Sequence, residues 1–248
     1  MTHPITLAEL APGEFRAAAG RLVAVYAAAM RPAQRMLAGR ELIMERHSAN
    51  PGFRALAAFS PGQPGDAAIP GIPERGGSRG RTGQLSAALP GSVQASGQVL
   101  AGFIYGFHGH PGQWWHDTVA TALASLYPLT ANTWLADSFE VAELHVLPAY
   151  QGRGIGRRLL LELTGGRPER TAVLSTQDAE SPARQLYRSA GFTDLLTGFY
   201  FSGGDSPYAV MGAMLPLRTD AAEREAPETG LASEGGTAPP RSARPSSW

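Results

Sequence analysis

The segment from Phe139 to Leu163 constrains this chain more than any other. An apolar stretch through Val146 and Leu147 runs into Pro148, then Gln151-Gly152-Arg153-Gly154-Ile155-Gly156, then a run rich in arginine and leucine. Apolar strand, glycine turn and helix, in that order, define a strand–loop–helix unit. Glycines at three alternate positions let the backbone approach a ligand with no side chain in the way. They stand where a helix begins, so its unpaired N–H groups and the positive end of its dipole face the same point, an arrangement suited to phosphate. Arg153, Arg157 and Arg158 add full positive charges there.

Two phosphate cradles are excluded by residue type. A P-loop requires lysine after its last glycine, and all 21 basic residues of this chain are arginine. The dinucleotide fingerprint G-x-G-x-x-G would need glycine where Arg157 stands. What remains, Gln151-x-x-Gly154-x-Gly156 led in by Val146-x-Pro148, resembles the acetyl-CoA motif of the GNAT superfamily of N-acetyltransferases. A second stretch agrees. From Ala179 to Phe192 the chain resembles the late helix of that family and the strand after it, matching at Glu180, Ala183, Leu186, Tyr187, Gly191 and Phe192. It departs at Ser181, where the family usually has asparagine. The resemblance is specific from Phe139 to Phe192 and extends from about Leu7 to Leu217.

That resemblance implies an α/β fold of GNAT type: a central twisted mixed sheet flanked by helices and splayed where acetyl-CoA binds. It implies cofactor contacts from the loop residues Gln151, Gly152, Arg153, Gly154, Ile155, Gly156 and Arg157, and from Ser181. It also implies that the strand before the loop parts from its neighbour, often at a bulge, freeing backbone groups of His145, Val146 and Leu147 for the pantetheine arm and the acetyl oxygen.

Composition removes other classes of function. Formal net charge is zero, with 21 acidic and 21 basic side chains, which leaves no electrostatic footprint for nucleic acid or an anionic membrane. There is no cysteine, so disulfides, thiolate metal sites and a cysteine acyl-enzyme are excluded. The longest apolar run, Leu22 to Met30, falls short of the ~20 residues that span a bilayer. The N-terminal MTHPITLAEL has no basic region followed by an apolar one, and the expected location is the cytoplasm. Monomer and homodimer are equally compatible with the sequence.

Along the chain, helical periodicity spans Phe15 to Met30 and again Ala33 to His47, with Met36, Leu37, Ile43 and Met44 inward. Phe53 to Phe59 and Val99 to Phe107 read as strands of a hairpin. Between them, residues 60–97 hold nine glycines, five prolines and no aromatic residue, the composition of a disordered insertion. Gln113 to Leu126 reads as a helix with Trp115, Val119, Ala122, Leu123 and Leu126 on one side. Strands at Phe139–Leu147 and Thr171–Ser175 alternate with helices at Ile155–Leu163 and Pro182–Ala190, and a hairpin of Leu195–Phe201 with Ala209–Leu217 follows. Residues 1–217 are thus expected to form one interrupted domain, with 218–248 a disordered tail.

Acyl transfer to an amine without cysteine proceeds most simply by direct attack in a ternary complex. Tyr187 is the candidate acid, since a phenol with a pKa of about 10 can protonate a departing thiolate. Glu140 and Glu143 are candidate bases. Three residues apart on a regular strand, they would point to opposite faces unless a bulge intervenes. His108, His110 and His116 lack the accompanying carboxylates or cysteines of a metal site, and no metal is expected. Trp114 and Trp115 suit either an acceptor pocket or helix anchoring. The sequence therefore reads as an N-acetyltransferase moving acetyl from acetyl-CoA to a primary amine. The competing reading is a non-catalytic acyl-CoA-binding module, which would have no need of Tyr187 or a base.

Overall fold

A computed structural model describes residues 4–61, 98–127 and 131–218. Seven strands form one open mixed sheet in the order β1-β2-β3-β4-β5-β7-β6. They are β1 (Thr6–Glu9), β2 (Arg54–Pro61), β3 (Gln98–Gly109), β4 (Ser138–Val146), β5 (Thr171–Gln177), β6 (Thr193–Phe199) and β7 (Tyr208–Met214). The helices are α1 (Pro12–Met30), α2 (Arg40–His47), α3 (Trp114–Leu126), α4 (Ala131–Leu135), α5 (Ile155–Thr164) and α6 (Pro182–Ser189). Among the described residues no helix is long and apolar enough to cross a membrane.

Burial follows the alternation of the strands. On one face, α5 places Leu159, Leu160 and Leu163 against Ile104, Phe139, Val141 and Leu174, and α6 adds Tyr187. The other face carries two groups. Phe15, Leu22, Val25 and Tyr26 of α1, with Met44 of α2, cover Phe103, Tyr105 and Phe107. Val119 and Leu123 of α3, with Leu135, cover Val173, Leu196 and Val210.

The centre of the sheet is interrupted. β4 and β5 run parallel but pair only at Ser138–Thr171, Phe139–Ala172 and Glu140–Val173. Beyond Glu140, β4 stays with β3 as far as Val146, while β5 stays with β7 as far as Gln177. The two strands part there, and the opening leads toward the glycine loop. A bulge lies in the same stretch. Tyr105 pairs with Glu143 but Gly106 pairs with Val141, so Ala142 is the extra residue.

Several boundaries differ from expectation. β1 is only four residues long, too short to show periodicity, yet it pairs with β2 from Thr6–Phe59 to Glu9–Leu56. α4 is similarly short. The second helix does not run from Ala33. Gly39, at φ +76°, separates a 3₁₀ turn at Gln34–Met36 from α2. Met44 alone of α2 is buried, and Met36 and Ile43, expected inside, are exposed. Leu126, at the last turn of α3, is also exposed. Ser60 and Pro61 belong to β2, pairing with Val99 and Gln98, so the segment expected to be an insertion begins two residues later. Its remaining residues, 62–97, and the tail from 219 lie outside the described residues.

Candidate active site

The loop after β4 is shaped by two of its three glycines. A 3₁₀ turn at Pro148–Tyr150 leads through extended Gln151 to Gly152 at φ +72° and Gly154 at φ +74°, the N-cap of α5. Side chains adopt these angles only with strain. A Cβ built on either glycine meets nothing within 4 Å, so both face open space. Gly156 has a different task. A Cβ there would lie 3.2 Å from Leu186 Cδ2, so this glycine sets the approach of α5 to α6. The first intrahelical bond is Arg158 N–H to the Gly154 carbonyl, which leaves the N–H groups of Ile155, Gly156 and Arg157 at the helix end, aimed at the same space.

Around the loop, several expected contacts are taken up by the protein itself. Gln151 donates from Nε2 to the Val146 carbonyl at 2.9 Å and ties the loop to the strand. Arg153 stacks over Tyr150 at 5.1 Å, and Arg157 donates to Ser189 Oγ at 3.2 Å. Ser181 caps α6, its hydroxyl accepting from the Arg184 N–H at 3.2 Å.

The exposed edge of β4 also differs in detail from expectation. Leu147 N–H donates to the Ala101 carbonyl at 2.8 Å and is therefore committed to β3. Strand alternation then turns His145 toward β3 as well, and turns the amides of Leu144 and Val146 into the opening. Of the three residues expected to offer backbone groups, only Val146 has its amide facing the opening by this alternation, and that of Leu144 faces it too.

The bulge changes the relation between the two carboxylates. Phe103, Tyr105 and Phe107 share one face of β3, and they stand opposite His145, Glu143 and Glu140 respectively. Residues directly opposite in a ladder share a face. Glu140, Glu143 and His145 therefore project together on the side covered by α1 and α2, not on opposite faces as a regular strand would have them.

Their environments push the two carboxyls apart. Glu140 is buried, its Oε2 has no hydrogen-bond partner among the described residues, and burial pushes its pKa up to about 8. Burial also acts to raise Glu143, but a hydrogen bond from His145, that ring's charge, and the charges of Arg40 and His47 outweigh it and hold the carboxyl below its ordinary value. Arg40 of α2 bonds one Glu143 oxygen and His145 bonds the other. Tyr26 supports both partners: its ring lies 3.8 Å beneath the Arg40 guanidinium and 5.0 Å from the His145 ring, edge to face. Behind them His47 Nδ1 and the Tyr105 hydroxyl are 3.2 Å apart.

Tyr187 of α6 lies on the other face of the sheet, near enough to Glu143 to feel its charge. It is buried beside Phe192, with ring centroids 5.8 Å apart. Burial, reinforced by the negative charge of Glu143, pushes its hydroxyl pKa well up, so the phenol keeps its proton. The three histidines considered for a metal are bound to separate partners: His108 to Glu169, His110 to the Pro111 carbonyl and His116 to Asp117. Trp115 donates to Ser175 Oγ at 3.2 Å, which anchors α3 to β5, while Trp114 is largely exposed against Phe201. Tyr26, Arg40, His47 and Tyr105 have no motif around them, and sequence reading passes over them.

Residues 110–194 match the family described as acetyltransferase (GNAT) domain. Over 220 residues, 86% of this chain, the sequence is 34% identical to a GCN5-like protein acetyltransferase of Mycobacterium tuberculosis and spans 99% of that protein. A shorter match, 40% identical over 74 residues, covers 29% of this chain and 47% of the N-alpha-acetyltransferase RimI of the same organism. Among solved structures, Arabidopsis thaliana NAA60 in complex with acetyl-CoA aligns over 86% of this chain and 99% of its own, with a TM-score of 0.52 at 15% identity, a likeness of fold. The chain belongs to the GNAT superfamily and is an acetyltransferase that draws its acetyl group from acetyl-CoA.

Proposed function

We propose that this protein acetylates a primary amine by direct attack within a ternary complex. The observation that carries the reading is an ionised carboxylate and a protonated phenol on the two sides of the sheet where β4 and β5 part, the charge of the first acting on the second. The Gly152–Gly156 loop and the N-terminus of α5 hold the pyrophosphate, and the amides of Leu144 and Val146 meet the pantetheine and acetyl oxygens. The acceptor enters from the side of α1 and α2. Glu143, ionised across the neutral range, takes the proton that the amine loses as its nitrogen bonds to the carbonyl carbon. The carbon–sulfur bond then breaks, and Tyr187 gives its proton to the leaving thiolate. The curated relatives, named for protein and N-alpha acetylation, support an amine on a peptide or protein as acceptor.

The test is an acetylation assay with purified protein, acetyl-CoA and a panel of small amines, peptide N-termini and lysine peptides, reading released thiol with DTNB. At least one amine should turn over. In the same assay Tyr187→Phe keeps the ring and removes the donor. It is expected to lower kcat at least roughly tenfold with acetyl-CoA affinity nearly unchanged. Tight acetyl-CoA binding with no amine acetylated would refute the amine reading, and wild-type turnover by Tyr187→Phe would reduce Tyr187 to packing.

A further inference from the structure

Arg40 lies 103 residues before Glu143 in sequence and on a different element, yet the two form a largely enclosed ion pair. Two features separate this contact from a surface salt bridge. The Arg40 Nε is buried without a partner among the described residues, so the guanidinium is oriented by Glu143 and by the Tyr26 ring rather than by its full set of bonds. The carboxylate, in turn, is held at both oxygens, by Arg40 from α2 and by His145 along its own strand, and one aromatic ring touches both donors. Stability does not account for this construction. Partly buried ion pairs about break even against apolar residues of the same shape. A short helix that buries Met44 alone has apolar residues, Leu42 and Ile43, left outside.

We propose that Arg40 is a positioning residue for acetyl transfer, holding the Glu143 carboxylate in the orientation that receives the acceptor amine's proton. The inference rests on the reading of Glu143 as base. Because α2 follows the turn at Gln34–Met36, the same contact ties the wall beside the acceptor to the group that activates it. Ionisable groups near Glu143 come from every surrounding element: Tyr26 of α1, Arg40 and His47 of α2, Tyr105 of β3, Glu140 and His145 of β4, and Tyr187 of α6. Arg40 is the fixed cation among them, so its removal should be felt as a displaced titration and not only as a slower rate.

The experiment is the pH dependence of kcat/KM with the best amine from the panel, for wild type, Arg40→Gln, Arg40→Lys and Glu143→Gln, with acetyl-CoA affinity measured by calorimetry. Arg40→Gln should move the acidic limb to higher pH by about one unit or more and lower kcat at least roughly tenfold, at unchanged acetyl-CoA affinity. Arg40→Lys, which restores the charge without the fork, should return the limb toward its wild-type position. If Arg40→Gln does not fold, Tyr26→Leu removes the ring under the guanidinium but keeps its charge; kcat should then fall with a smaller movement of the limb, and an unchanged kcat overturns the proposal. An unmoved limb with unchanged kcat overturns the proposal, as does a rise in kcat/KM, which would mean that Arg40 blocks the acceptor. Full activity in Glu143→Gln would instead bring down the assignment of the base, separately from the role of Arg40.

Discussion

Glu140 and Glu143 are the same residue type on the same face of one strand, yet the protein gives them opposite charge states near neutrality. The difference is partners. Arg40 and His145 supply hydrogen bonds and positive charge to Glu143, whereas Glu140 meets only the low-dielectric interior, with one oxygen unsatisfied. This has a consequence for stability. The folded pKa of Glu140, about 8, lies above its ordinary value of 4.5, so the folded chain holds this proton more tightly than the unfolded one. The associated stability is complete below pH 4.5 and is lost as pH rises through about 8. At ~1.4 kcal/mol per pKa unit the total is on the order of 5 kcal/mol. Glu140→Gln is neutral at all pH and should flatten this slope. Melting temperatures of wild type and variant, taken from about pH 5 to 9, should shift in the variant's favour as pH rises, the wild type falling more steeply, and curves that fall in parallel would locate the loss in other groups.

At the scale of elements, α5 begins at the proposed phosphate site and depends on a distant residue at its other end. No basic residue lies in its last turn. Arg54 of β2 supplies the missing donors, its Nη1 reaching the carbonyls of Glu162 at 2.7 Å and of Leu163 and Gly165 at 3.1 Å, while Nη2 pairs with Glu9 of β1. One guanidinium thus joins two strands to a helix C-terminus, where positive charge is favourable. Arg54→Met keeps most of the stem and leaves those carbonyls without the charged donor. A loss of about 1–3 kcal/mol is expected from urea unfolding. Acetyl-CoA affinity should stay near wild type because the loop at the N-terminus of α5 is untouched. An unchanged unfolding midpoint would show that solvent replaces Arg54 without cost.

The whole molecule is organised around the place where β4 leaves β5. With only three residue pairs joining them, the sheet behaves as two panels, one of β1 to β4 and one of β5 to β7, clamped at one end. The proposed catalytic site lies where they part. The segment between β2 and β3 joins adjacent antiparallel strands of one panel. Its ends are Pro61 and Gln98, paired directly across the ladder. Replacing residues 62–97 by a two-residue Asn-Gly hairpin turn, and ending the chain after Arg218, should leave the melting temperature and acetyl-CoA affinity nearly unchanged. A large fall in melting temperature would show that one of the removed segments contributes packing.

The sequence by itself determined the parts whose chemistry is local. Gly152 and Gly154 declare a loop because their backbone angles exclude other residues. Pro148 and the leucines after Ile155 mark where a strand stops and a helix starts, and Ser181, Leu186, Tyr187 and Gly191 repeat a helix-and-turn pattern within a dozen positions. Local sterics and side-chain periodicity act over a few residues, so they can be read in order. What the chain order conceals is whatever joins distant residues. Arg40 meets Glu143 only because α2 is folded over β4, and Arg54 meets the end of α5 only across the sheet. The shared face of Glu140 and Glu143 arises from one extra residue, Ala142, whose presence as a bulge is defined by the pairing partner in β3 and not by β4. Gly156, indistinguishable from its two neighbours in the motif, serves helix packing because Leu186 happens to stand against it. Charge states followed the same division: Tyr187 was legible as a candidate acid and Glu140 and Glu143 as candidate bases by type, but burial and ion pairing decided which proton each one holds.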